Sequence, residues 1–163
     1  MLSEEQEHTY ERAMDQALRF LAPRFLSSYE LRQKMIRKGI PTKLIDQVEA
    51  KLIEYDYIND DRLAEQVANL YKRECKRGLF YIKNKMRLRG LEPGQHLDDY
   101  DERQAAFRVI ERKYGLEEEP PVGQEKIISI LRNRGFGMNS IRAVIDELYS
   151  WHKRGQRLEY KVP

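Results

Sequence analysis

Only one cysteine, Cys75, occurs in this sequence, and no apolar run approaches the ~20 residues that cross a bilayer. A single cysteine excludes an intrachain disulfide, which fits a reducing compartment. The acidic start, Met1 to Glu5, lacks the basic-then-apolar order of a secretory signal. These absences together predict a cytoplasmic protein.

The residue types that carry catalysis are also sparse. The three histidines, His8, His96 and His152, are scattered, and none has a cysteine or carboxylate at metal-ligand spacing. No glycine-rich loop leads into Lys-Ser or Lys-Thr, and residues 135–137 end a helix where a dinucleotide fingerprint would begin one. Asp60-Asp61 suits a helix start better than a metal site. No nucleophile, base and orienting group come together. The sequence therefore predicts a protein that is not an enzyme and needs no metal or cofactor.

One pattern of five positions is written three times, and it describes the end of a helix. Apolar residues four apart share a helix face. The Lys or Arg before each glycine suits the negative end of the helix dipole, and the glycine can adopt the left-handed conformation of a Schellman cap. The three copies are Leu31, Met35, Lys38, Gly39, Ile40; Ile82, Met86, Arg89, Gly90, Leu91; and Ile127, Leu131, Arg134, Gly135, Phe136.

The rest of the chain repeats a helical plan around this pattern. Ser3 with Gln6 and Ser27 with Glu30 have capping-box spacing, and Asn59 or Asp60 is expected to cap a later helix, a role assigned to Asp60. No segment alternates with period two, so the prediction is an all-α fold of three tandem three-helix repeats in an elongated, curved array. The predicted divisions are 1–59 for repeat one, 60–100 for a basic repeat two with a short third helix from Glu92, 101–150 for repeat three, and 151–163 for a frayed tail.

The centre of the chain is strongly basic. Residues 71–90 carry eight cations against the single acid Glu74, with Tyr71, Phe80 and Tyr81 between them. Such a concentration attracts a polyanion in a salt-dependent way. The alternative is a solvent-exposed basic face without a binding role, neutralised by Asp98, Asp99, Asp101 and Glu102. The residues expected to contact nucleic acid or filament are Lys72, Arg73, Lys76, Arg77, Lys83, Lys85, Arg87 and Arg89.

The second and third helices of each repeat have the outline of a helix-turn-helix, but their charges argue against base reading. The third helix of repeat one carries Asp46, Glu49, Glu54 and Asp56. Acids facing phosphate are unfavourable in a recognition helix. Non-specific contact with the DNA backbone stays open.

With these residues placed, the chain resembles the RecX family of bacterial recombinase regulators, from about Arg12 to Leu148. The order and spacing of several short motifs carry the resemblance. They are Ala17 to Ala22; Ser28, Glu30, Leu31, Lys34 and Met35; Tyr57 to Ala64; Gly78, Ile82, Met86 and Arg89 to Leu91; Arg112 to Gly115; and Lys126, Ile127, Leu131 and Arg134 to Phe136. Leu63, Lys76 and Leu79 depart from the usual family residues.

The resemblance implies a protein of three-helix repeats that lies in the groove of a RecA–single-stranded DNA filament. Such a protein damps the recombinase's ATP hydrolysis, strand exchange and coprotease activities without being an enzyme. Its partners would be the filament and, non-specifically, single-stranded DNA; no membrane partner is expected, and a monomer is. Two alternatives stay open: an α-helical adaptor for a protein partner alone, and a non-specific DNA-binding protein that acts without a recombinase.

Overall fold

The computed structural model describes the backbone of residues 4–115, 120 and 122–159 and the side chains of residues 9–115, 120 and 122–149. Within these ranges the chain forms helices and no β-strand, which confirms the all-α prediction. The helices are α1 (Glu4–Leu21), α2 (Ser28–Arg37), α3 (Thr42–Glu54), α4 (Asp60–Glu74), α5 (Leu79–Leu88), α6 (Glu102–Tyr114), α7 (Gln124–Asn133) and α8 (Met138–Glu159). The cap predicted at Ser3 and most of the linker after Gly115 lie outside the described residues.

The chain divides into two compact units. The first comprises residues 1–67 and 86–93, and in it α1, α2 and α3 pack on one another. Its core is made of Ala13, Ala17, Leu26, Leu31, Met35, Ile45, Val48, Leu52 and Ile58. The second comprises residues 68–85 and 94–163, and in it α6, α7 and α8 pack together. Its core is made of Ala105, Ala106, Val109, Ile110, Ile127, Leu131, Phe136, Ile141 and Val144.

The repeat boundaries proposed from the sequence stay a prediction. The chain passes between the two units at three points, which lie inside α4, inside α5 and between Pro93 and Gly94. Two local expectations do change. Residues 92–101 contain no helix, since 94–99 form turns and the rest are irregular, so the short third helix predicted from Glu92 is wrong. Proline and glycine are poor helix formers, and Pro93 and Gly94 lie at the start of this segment. After them, Leu97 is the one apolar side chain of this fully described segment that is buried. The backbone of α8 also continues to Glu159, into the segment predicted as a frayed tail.

The three pattern glycines end their helices with the predicted geometry. Gly39, Gly90 and Gly135 have φ of +77°, +72° and +83°. In each case the glycine N–H donates to the carbonyl three residues before it, and the next N–H donates to the carbonyl five residues before that residue, the two bonds of a Schellman cap. The apolar pattern residues before the glycines are fully buried. A five-residue pattern thus specifies three helix ends.

The start of α4 differs in detail from the expectation. The Asn59 side-chain oxygen accepts the Arg62 N–H at 3.0 Å, so Asn59 is the N-cap and the assignment of this role to Asp60 is wrong. The reason is that Asp60, the first helical residue, turns its carboxylate to the start of α2 and accepts the Ser28 N–H at 2.9 Å. That helix also has the capping box predicted at Ser27 and Glu30.

The second unit contains a contact of the same kind, centred on Glu102. Glu102 is the first residue of α6, and its Oε1 accepts the N–H of Leu79, the first residue of α5, at 2.9 Å. The same oxygen accepts the Gly137 N–H at 3.2 Å, and Oε2 accepts the Ser140 hydroxyl at 2.6 Å. One half-buried carboxylate therefore satisfies donors at the starts of both α5 and α8.

Replacing Glu102 with alanine is expected to lower the free energy of unfolding by about 2 kcal/mol, because it strips helix-start donors of a charged acceptor. Glu102→Gln, which keeps one oxygen and the side-chain volume, should lose less. Chemical denaturation of the two variants measures the difference. Equal stability of Glu102→Ala and the unchanged protein would contradict this role.

Candidate nucleic-acid interface

The eight cations proposed from the sequence lie on two helices and the residues that follow each of them. Lys72 and Arg73 occupy the last turn of α4, and Lys76 and Arg77 lie between α4 and α5. Lys83, Lys85 and Arg87 lie on α5, and Arg89 follows it. The unit division falls after Lys85, so the first six residues belong to the second unit and Arg87 and Arg89 to the first.

Tyr81 organises two of the six cations. The Arg77 guanidinium lies 4.4 Å from the centroid of the Tyr81 ring, and the Lys85 ammonium lies 5.4 Å from it. The ring of Tyr71 meets Tyr81 edge-on, with centroids 6.1 Å apart. Attraction to the ring face offsets part of the repulsion between the two cations. Tyr81 is thereby held in place, and its ring is already occupied by these cations.

The carbonyl of Arg77 is fixed by Tyr100. The Tyr100 hydroxyl donates to that carbonyl oxygen. Burial, reinforced by nearby acidic groups, raises the pKa of Tyr100, so the phenol stays a neutral donor at physiological pH. The turn that carries Lys76 and Arg77 is in this way tied to the segment before α6.

Of the neighbouring acids expected to neutralise the basic segment, only Asp99 pairs with one of its cations among the described side chains. The Lys72 ammonium pairs with Asp99 at 2.8 Å, and this hydrogen bond lowers the pKa of Asp99. Asp101 instead caps α6 by accepting the Gln104 N–H at 2.9 Å, and Glu102 is used by helix starts. Two of the four neighbouring acids, Asp101 and Glu102, are therefore committed to backbone donors at helix starts.

Several cations keep their charge unpaired. Over the part of the chain whose side chains are described, no carboxylate lies within 4.0 Å of the side-chain nitrogens of Arg73, Lys76, Lys83, Lys85 or Arg87. Arg73, Lys76, Lys85 and Arg87 are exposed, and Lys83 is half-buried. Without carboxylate partners, these groups are available for external anions.

Two arginines outside the predicted set of contact residues extend the positive surface of the second unit. Arg112 on α6 donates to the carbonyls of Glu74 and Cys75, both at 3.1 Å, and Arg108 lies one turn earlier, 3.8 Å from the Cys75 sulfur. A cation at a helix C-terminus complements the helix dipole. Their i, i+4 spacing marks a shared face of α6, but only the fold shows that this face meets the end of α4.

Arg89 is paired within the first unit and is not available to an external anion. Its guanidinium lies 3.0 Å from the Glu30 carboxylate and donates to the Phe25 carbonyl at 3.1 Å, while its own carbonyl accepts the Ser27 hydroxyl. Burial of Glu30 opposes ionisation, but the hydrogen bonds from Arg89 and the Ser27 N–H outweigh it and lower the pKa of Glu30. Arg89 therefore stabilises the first unit and is not counted among the residues of the candidate interface.

Replacing Arg89 with glutamine is expected to cost about 1–2 kcal/mol of stability at neutral pH. The folded-state pKa of Glu30 lies below the usual 4.5, so the ionised carboxylate stabilises the fold above pH 4.5, and this stabilisation is lost as the pH falls through the folded-state pKa. The difference in unfolding free energy between Arg89→Gln and the unchanged protein should therefore shrink in acid. Urea unfolding as a function of pH measures it, and a gap that stays constant would show that Arg89 stabilises the fold without Glu30.

The first unit is built differently, and its third helix does not present a DNA-reading face. Arg32 on α2 pairs with Asp46 at 2.7 Å and with Glu49 at 2.8 Å, both on α3. An open pocket of the same unit is lined by Met14, Leu18, Leu52, Tyr55 and Tyr57, and of these Leu18, Tyr55 and Tyr57 are exposed. Internally paired charge beside apolar surface is more typical of a protein contact than of a phosphate contact.

Neither a metal centre nor a membrane span emerges from the described residues. No group of three or more His, Cys, Asp or Glu side chains there is arranged to hold a metal ion. None of the helices in these ranges combines the length and the apolar character that a bilayer span requires.

Comparison with known proteins gives one consistent answer. The sequence profile of "RecX, first three-helix domain" matches residues 13–52. Proteins named "Regulatory protein RecX" are similar over most of this chain. The protein from Chlorobaculum tepidum is 28% identical over 137 residues, which cover 82% of this chain and 86% of that protein. The protein from Chlorobium limicola is 29% identical over 154 residues, which cover 88% of this chain and 93% of that protein.

Some relatives are longer. The match to the protein from Bacillus pumilus is 25% identical over 147 residues, which cover 85% of this chain but 56% of that protein. Among solved structures, the crystal structure of RecX from Lactobacillus salivarius superposes with a TM-score of 0.74 at 22% identity, and covers 87% of this chain and 97% of that one. A crystal structure described as regulatory protein RecX gives a TM-score of 0.70 at 16% identity, covering 90% and 80%. These two likenesses establish the helical fold.

Proposed function

The chain belongs to the RecX family, and from that premise we propose that it regulates a RecA-type recombinase. It binds the RecA–single-stranded DNA filament and modulates, mainly by inhibition, the filament's ATPase, recombinase and coprotease activities. Its relatives are named regulatory proteins. The chain itself acts without catalysis, through binding.

The observation that carries this proposal is the set of unpaired cations on the second unit. Arg73, Lys76 and Lys83 face no described carboxylate, and they lie on a segment of net charge +7 between residues 71 and 90. A filament built on single-stranded DNA presents phosphates in a groove, and cations that displace its counterions gain binding free energy at low salt. The proposed DNA contact is therefore non-specific.

The first unit supports the complementary half of the proposal. Its α3 charges are paired with Arg32, and Tyr55 and Tyr57 are 62% and 58% exposed. Exposed tyrosines are common in contacts between proteins. In the proposed division of labour this unit grips recombinase subunits while the basic segment approaches the DNA. A regulator bound in this way inhibits by favouring the filament state to which it binds best.

The experiment that tests the function is the single-stranded-DNA-dependent ATPase rate of the cognate recombinase while this protein is titrated in. Inhibition well below one protein per recombinase subunit would support action on filament ends or over several subunits. Inhibition only near saturation of the DNA would indicate competition for the strand and favour the DNA-binding alternative. An unchanged rate with the folded protein would contradict the proposal and favour the adaptor.

A further inference from the structure

Phe80 is the most exposed large apolar side chain among the residues whose side chains are described, at 72%. It lies in the first turn of α5, whose buried face is formed by Ile82 and Met86. Burying a phenylalanine side chain stabilises a fold by roughly 1.5–3 kcal/mol, and Phe80 contributes little of this. A single exposed apolar residue is ordinary, so its surroundings decide whether it has a role.

The surroundings of Phe80 are cationic and polar. Lys83 and Asn84 follow it by three and four positions, which places them on the same face of α5. Lys76 precedes it in the turn before the helix, and neither Lys76 nor Lys83 has a carboxylate partner among the described residues. Glu102 also lies beside Gly137 near the Phe80 ring, but its carboxylate already accepts three hydrogen bonds.

Two comparisons within the chain distinguish Phe80 from other aromatic residues. Tyr81, its neighbour, is occupied by the cations of Arg77 and Lys85 and by the ring of Tyr71. Phe25 is almost as exposed, at 63%, but the cation beside it, Arg24, pairs with Glu30 at 2.6 Å. Of these three residues, only Phe80 has both an exposed ring and neighbouring cations without a described carboxylate partner.

We propose that Phe80 stacks on an unpaired nucleobase while Lys76 and Lys83 bind the phosphates on either side of it. This inference rests on the proposed function and deepens it, because it names the side chain that contacts a base of the single strand. Bases in a duplex are stacked on each other and offer no free face, whereas any base of a single strand does. The contact is insensitive to sequence, since every base has a π face.

The test compares two strands of equal length and charge. One is oligothymidylate, and the other is an abasic oligonucleotide that keeps the phosphates but lacks bases. Phe80→Ala should weaken binding to oligothymidylate by roughly 5- to 150-fold, the range of one lost base–aromatic stack, and leave binding to the abasic strand unchanged. Fluorescence anisotropy measures both affinities. Phe25→Ala is the matched control and should change neither.

A second variant reports the contact directly. Phe80→Trp combined with Trp151→Phe places the only tryptophan of the chain at position 80. Its fluorescence should be quenched on binding oligothymidylate and on binding the recombinase filament, and not quenched by the abasic strand. Circular dichroism shows whether either variant alters the helical fold.

The outcomes separate this inference from the function on which it rests. Equal losses of affinity on both strands with Phe80→Ala, or no quenching on either oligothymidylate or filament, would overturn stacking. Stacking would also be overturned by Phe80→Ala binding oligothymidylate as tightly as the unchanged protein. In each of these cases ATPase inhibition by the unchanged protein would leave the regulator proposal in place, while its absence would remove that proposal as well.

Discussion

Replacing Gly78 with alanine is expected to destabilise the second unit by about 3 kcal/mol or more, the upper range for overpacking. A Cβ built on Gly78 would lie 2.2 Å from the carbonyl oxygen of Gly135 and 2.3 Å from the nitrogen of Phe136. Both are backbone atoms, which cannot rotate out of the way of the new Cβ as the end of a flexible side chain could. The Gly78 N–H also donates to the Arg134 carbonyl at 2.9 Å, and the Phe80 N–H to that of Gly135 at 3.1 Å.

Gly123 offers a matched control for this substitution. Gly78 and Gly123 both immediately precede a helix, α5 and α7, and each lies twelve positions before a cap glycine. A Cβ at Gly123 would meet nothing within 4 Å among the described residues. Gly123→Ala should therefore cost only about 1 kcal/mol or less, for a poorer N-cap. Thermal unfolding of the two variants isolates the backbone clash, and similar midpoints would show that the Gly78 contact relaxes without cost.

The helix ends could be predicted from the sequence because their determinants are local. In this chain a Schellman cap is specified by five positions within ten consecutive residues, and Gly39, Gly90 and Gly135 all adopt it. The all-α fold follows from helical periodicity in the same way. The helix predicted from Glu92 does not form, because too little apolar surface follows Pro93 and Gly94 to hold a helix in place.

The contacts that join distant segments could not be predicted, because nothing in the local sequence names their partners. Glu102 has the composition of an ordinary first-turn acid, yet it binds the starts of two other helices. Asp60, predicted to cap its own helix, accepts a hydrogen bond from the start of α2. The same limit applies to the candidate interface: charge density located the basic segment, but only the fold shows that Lys72 and Arg89 are paired and that Arg108 and Arg112 lie nearby.

Neutralising three unpaired cations of the second unit together is expected to weaken binding to the filament roughly a hundredfold at ~0.1 M salt. Each phosphate contact on a single strand contributes about 0.7 to the slope of log affinity against log salt, which is about fivefold per contact at that concentration. The variant is Arg73→Gln/Lys76→Gln/Lys83→Gln, which breaks no ion pair among the described residues. The slope should fall by about 2.

A control with the same change of net charge separates a local contact from the overall field of the protein. Arg37, Lys43 and Lys126 are exposed cations outside the basic segment, also without a described carboxylate partner, and the variant Arg37→Gln/Lys43→Gln/Lys126→Gln carries the same net charge. If the basic segment contacts phosphate, only the first variant loses affinity and slope, because long-range attraction is largely screened beyond ~10 Å at 0.1 M salt. Equal losses in both variants would mean that net charge alone draws the protein to DNA. An unchanged slope in the first variant would show that the filament is bound through protein surfaces, which is the role proposed for the first unit.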